Sequence, residues 1–128
     1  MAKRYRTILV VEDEATLRQV ITRNLEARGH AVRGAATATE ALRHLTDLKP
    51  DLMLLDINLP DRSGWDVLRE LRERGMEVAT VIVSAVRVSP TRLEEFRPLA
   101  YLPKPFPLDA LLRLVDSEED EPAPPEVE

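Results

Sequence analysis

The sequence has no cysteine, which excludes disulfides, thiolate nucleophiles and cysteine-ligated zinc, and fits a reducing, cytoplasmic setting. No apolar run approaches the ~18 residues that a membrane span needs, and no signal-peptide pattern opens the chain, so a membrane is not expected among its partners. There is no internal repeat. A charge bias in the folded part is missing too, although the net charge is −5. Residues 117–128 carry six acids (Glu118, Glu119, Asp120, Glu121, Glu126, Glu128) and no base, which leaves 17 acidic against 18 basic residues in 1–116. A body so close to neutrality has no field to draw it to nucleic acid, and no direct nucleic-acid binding is expected. Pro122, Pro124 and Pro125 stand among the acids of the last segment, and such a composition cannot build a core. The expected organisation is one folded domain over 1–116 and a disordered acidic tail over 117–128, with no output domain following.

What is present is a regular alternation. Thr7–Val11 is short, β-branched and apolar, and reads as a buried strand. Leu17, Val20, Ile21 and Leu25 then recur at helical spacing up to Gly29. Residues 30–34 alternate more weakly and suit a strand near a sheet edge. Thr37-Ala38-Thr39-Glu40 has the form of a capping box, opening a helix with Ala41, Leu42, Leu45 and Leu48 inward. Residues 52–56 form a continuous apolar strand ending in Asp56. Residues 65–74 read as a helix with Leu68 and Leu71 inward, and 78–84 as a strand. A short helix over 91–96 lies between Pro90 and Pro98. A last strand covers 99–102, and Pro107 starts a helix with Leu108, Leu111, Leu112 and Val115 buried. Five strand–helix units imply an α/β fold, a parallel sheet wrapped by helices on both faces.

In such a sheet every strand C-terminus lies on one edge, where ligands bind. Glu12 and Asp13 follow the first strand, Asp56 ends the third, Ser84 ends the fourth, and Lys104 follows the fifth. Each has an ordinary explanation alone: Asp56 can cap the next turn, and the acidic pair can favour a helix N-terminus. Lys104 is less ordinary, because Arg supplies 15 of the 18 basic residues. Together the set suits phosphoryl transfer to a carboxylate. Clustered acids hold a hard divalent cation, the cation and Lys104 neutralise phosphoryl oxygens, Ser84 donates a hydrogen bond, and Asp56 is the nucleophile.

On these residues the chain resembles the response-regulator receiver domains of two-component signalling, over about residues 6–116. The marks are Glu12-Asp13, the segment Leu54-Leu55-Asp56-Ile57-Asn58-Leu59-Pro60 with Gly64 after it, Ser84-Ala85, and Tyr101-Leu102-Pro103-Lys104-Pro105-Phe106. The resemblance implies a doubly wound, flavodoxin-like five-stranded sheet of order 2-1-3-4-5. It implies Asp56 as phospho-acceptor, and Mg²⁺ (or Mn²⁺) held by Asp13, Asp56 and the Asn58 backbone carbonyl, with Glu12 acting through water. It further implies Ser84 and Tyr101 as a switch pair and a cis Lys104–Pro105 peptide. The implied phosphodonor is a histidine kinase or histidine phosphotransfer protein, and the output is binding to another protein rather than turnover catalysis. The chain departs from the family in a shortened stretch between Ser84 and Tyr101, and in Arg97-Pro98-Leu99-Ala100 before the last strand. The short fourth helix offers only Leu93 and Phe96 as large apolar residues, and the core claims them, so a monomer is expected. Two alternatives stand beside this reading. One is a binding module that keeps the fold without phosphorylation. The other is an aspartyl phosphatase, which expects Asp-x-Asp on the first strand rather than the third.

Overall fold

The computed structural model describes residues 7–119. The basic lead at 1–6 and the acidic residues 120–128 lie outside the described residues. The order is β1 (Thr7–Val11), α1 (Ala15–Ala27), β2 (Ala31–Ala35), α2 (Ala38–Asp47), β3 (Leu52–Asp56), α3 (Gly64–Glu73), β4 (Ala79–Ser84), α4 (Pro90–Phe96), β5 (Ala100–Pro103) and α5 (Leu108–Glu119). All strand pairings are parallel and the order is β2-β1-β3-β4-β5, with the weakly patterned β2 at an edge as expected.

Alternate residues of each central strand feed two cores. Leu9, Val11, Met53, Leu55 and Ile82 pack under α2 and α3, while Ile8, Val10, Leu52, Leu54 and Val81 pack under α1 and α5. Each large side chain buried in this way contributes roughly 2 kcal/mol. Burial on both faces explains why β3 reads as an unbroken apolar run.

Several local expectations need correction. β2, β4 and β5 each begin one residue later than the pattern suggested, and α3 begins at Gly64, with Ser63 Oγ accepting the Trp65 N–H. In α3, Trp65, Val67 and Leu71 are buried, whereas Leu68 is only half-buried. The capping box at α2 is half formed: Thr37 Oγ1 accepts the Glu40 N–H, but the Glu40 carboxylate reaches the N–H of Ala36 rather than that of Thr37. α5 runs three residues past the boundary expected at 116. α4 begins with Pro90 at its first turn, as the sequence suggested, but buries no residue.

What holds α4 is a seam with α3. Phe96 stacks on Trp65 with centroids 5.4 Å apart, and Arg72 lies over the Phe96 ring at 4.8 Å and Arg92 over Trp65 at 5.9 Å. The helix ends at Arg97, which adopts the left-handed conformation (φ 49°) and donates its N–H to Leu93 O. Below this seam, at the edge opposite the strand C-termini, lies a cleft of about 860 Å³, remote from the acids.

Candidate phosphoryl-transfer site

Parallel pairing carries the acids to one edge. Register sets Val11 beside Leu55, so Glu12 and Asp56 leave adjacent strands side by side. Ser84 pairs with Pro103 across β4 and β5, and the Lys104 N–H donates to Ser84 O at 2.8 Å. The Lys104–Pro105 peptide is cis. On the other flank, α3 starts directly against the end of β3. A Cβ on Gly64 would stand 2.7 Å from Asp56 O and 3.0 Å from Ile57 Cα, so only glycine permits this approach.

Glu12 and Asp56 are both buried, and one ammonium serves both. Lys104 Nζ lies 2.9 Å from Glu12 Oε1 and 3.1 Å from Asp56 Oδ2. The remaining oxygens accept backbone donors: Glu12 Oε2 takes the Glu14 N–H at 3.0 Å, and Asp56 Oδ1 takes the Asn58 N–H at 3.0 Å. Asp56 therefore does cap the following turn, in addition to facing Lys104. Asp13 is exposed, and its carboxylate joins those of Glu12 and Asp56 in a group whose oxygens lie within 4.8 Å of one another. Burial pushes the Glu12 carboxyl above its ordinary value, against the opposing bonds from Lys104 and the Glu14 amide. Burial works against the Lys104 charge too, but its bonds to Glu12 and Asp56 outweigh it and hold the ammonium above its usual range.

The hydroxyl pair is arranged differently. Ser84 Oγ turns back on its own loop, donating to Val86 O at 2.9 Å and accepting the Val86 N–H at 3.0 Å. The half-buried Tyr101 also directs its hydroxyl to Val86 O, at 3.5 Å. Ser84 and Tyr101 thus meet at a shared acceptor rather than at Asp56. Two participants escaped the sequence reading. Val86 acts through its backbone carbonyl, which no residue type announces. Arg18 donates to Glu12 O at 2.7 Å, and its only sequence signal was an Arg one helical turn into α1.

Three clustered carboxylates, two of them bridged by one ammonium, leave an excess of negative charge, and the ligand atoms they offer are hard oxygens. That donor set fits a small divalent cation with waters completing its shell. A cavity of about 480 Å³ opens beside Asp13, walled by the Asn58–Ser63 loop.

Comparison with known proteins agrees with this geometry. Residues 8–116 match the response regulator receiver domain. The chain is 37% identical to the two-component response regulator PhoP of Pseudomonas aeruginosa over 106 residues, 81% of this chain and 47% of that protein. It is 34% identical to response regulator MprA of Mycobacterium ulcerans over 125 residues, 91% of this chain and 54% of that one. The chain thus spans about half the length of these two relatives. Among solved structures, the non-phosphorylated HemR receiver domain of Leptospira biflexa superposes with a TM-score of 0.82 at 27% identity, covering 94% of this chain and 98% of that one. Response regulator TrrA of Thermotoga maritima, in complex with Mg²⁺-BeF, gives a TM-score of 0.75 at 29% identity, covering 86% and 96%. The chain belongs to the response regulator receiver domain family, the phospho-accepting switches of two-component signalling.

Proposed function

We propose that Asp56 takes a phosphoryl group from a histidine kinase or histidine phosphotransfer protein, and that the chain then signals by binding another protein. The observation that carries this is the pair of buried carboxylates, Glu12 and Asp56, bridged by Lys104 with Asp13 open beside them. A carboxylate oxygen of Asp56 attacks phosphorus in line. The P–N bond of the donor breaks, an acyl phosphate forms, and the imidazole leaves with the electron pair. As Asp56 loses its charge to the new P–O bond, Lys104 is placed to follow that charge onto a phosphoryl oxygen. Asp13, Asp56 and the Asn58 carbonyl would hold Mg²⁺ or Mn²⁺, with Glu12 acting through water; the cation supplies charge neutralisation at the phosphoryl oxygens. The Mg²⁺-BeF complex of the similar TrrA supports this reading.

Ser84 can give its hydrogen bond to the phosphoryl group only by releasing Val86 O, which leaves Tyr101 as that carbonyl's remaining side-chain partner. The β4–α4 loop is thereby freed to rearrange, and its signal passes to the α4–β5 face. On this reading the chain is a regulator rather than a turnover enzyme, cytoplasmic, and a monomer that acts on a different protein. Incubation with acetyl phosphate and Mg²⁺ should add one phosphoryl group by mass, and Asp56→Asn should take none. Equal uptake by the variant would overturn the assignment, and dimer mass in sedimentation with beryllofluoride would overturn the monomeric output.

A further inference from the structure

Asp61 is an exposed carboxylate in the loop between β3 and α3, yet all of its acceptor capacity is used. Oδ1 accepts the N–H groups of Ala38 at 2.9 Å and Arg62 at 3.0 Å. Oδ2 accepts the Thr39 N–H at 3.0 Å and the Thr39 hydroxyl at 2.7 Å. Four donors fill the four lone-pair positions of a carboxylate, so nothing is left for a cation. The α2 helix already has its own cap in Thr37. Asp61 therefore adds a tie between α2 and a loop more than twenty residues away in sequence.

That tie closes a ring around the acids. On one side the Glu12 N–H donates to Ala35 O at 2.9 Å, joining the acidic pair to the residues that lead into α2. On the other side the loop carrying Asp61 is folded by the Asn58–Ser63 bridge and by the Gly64 N–H donating to Ile57 O at 2.8 Å, and it begins at Asp56. Asp13 and Asn58 line the same cavity.

We propose that Asp61 is a positioning residue: anchored to the first turn of α2, it holds the Asn58 segment beside Asp13, and so sets divalent-cation affinity without touching the cation. The inference rests on the reading that a cation binds between Asp13, Asp56 and the Asn58 carbonyl. The carboxyl is held well below the ordinary carboxylate range, first by the Thr39 hydroxyl and then by the amides, so the tie persists at neutral pH.

The test is Mg²⁺ titration of the full chain, with thermal unfolding in chelator measured separately. Asp61→Ala should weaken Mg²⁺ binding roughly tenfold, as loss of an outer support does at metal sites. Thr39→Ala should weaken it less, and Asp61→Asn, which keeps one acceptor oxygen, should recover part of the loss. Asp51→Ala is the control. Asp51 Oδ2 makes a similar tie to the Thr7 N–H at 2.9 Å, but at the opposite edge of the sheet, and its loss should leave Mg²⁺ affinity unchanged. Unaltered affinity in Asp61→Ala, or equal weakening in Asp51→Ala, would overturn the proposal. Asp13→Ala separates the two claims: if it too leaves affinity unchanged, the cation site itself is wrong, whereas if it alone weakens binding, only the role of Asp61 fails.

Discussion

All five residues of β3 and four of the ten in α2 are buried, whereas α4 and β5 bury none. Asp56 ends β3, with Glu12 and Asp13 beside it after β1, and the hydroxyl-bearing Tyr101 lies on β5. A site that must hold like charges a few ångströms apart needs a scaffold that resists their repulsion, and two-sided burial of β1 and β3 supplies it. A face that must change shape for a partner needs the opposite, few buried contacts and a small energy gap. On the function proposed above the molecule is divided accordingly, and that division can be tested.

The largest expected effect lies at the buried acids, reached from the end of β5. Lys104→Ala strands two carboxylate side chains that are each 4% exposed, and should cost about 3 kcal/mol in metal-free denaturant titrations. Added Mg²⁺ should restore part of it, because the cation replaces the missing charge. A loss no greater than that from cutting the α3–α4 seam would erase the distinction between the two regions.

Phe96→Ala cuts that seam. Removing a stacked, half-buried ring should cost about 1–2 kcal/mol, and the loss should be local. Amides of 90–97 should exchange faster while those of β1 and β3 keep their protection; faster exchange throughout would mean that α4 is part of the rigid unit after all. The smallest effect sharpens the same contrast. Gly75 follows α3 at φ 71°, whereas α4 ends in the same left-handed region with Arg97. Arg97→Gly should relieve that strain and raise stability by about 0.5–1 kcal/mol in urea. No change in the midpoint would show that the end of α4 carries no strain.

How far the sequence reached follows this division as well. β3 was legible because burial on both faces writes an apolar run, and Glu12, Asp56 and Lys104 because charged residues at strand ends stand out by type. The strand order came only with the family resemblance, since a local pattern holds no record of which neighbour a strand pairs with. Asp61 looked like any acid in a turn, because its partners on α2 are brought close only by the fold. The seam was hidden in a similar way: Phe96 packs against the core as expected, but its stacking on Trp65 beside two arginines is a pairing that helical periodicity does not encode.

Trp65 is the single tryptophan of the chain, and it follows Gly64, which is pressed against the backbone of Asp56. Its indole stacks on Phe96 of α4, with the Arg92 guanidinium nearby. Indole emission responds to local polarity and to charge, so any departure of α4 from α3 changes both at once. On the proposed switch, the protein carries an intrinsic optical gauge of its own change of state, readable in the unmodified chain without a label.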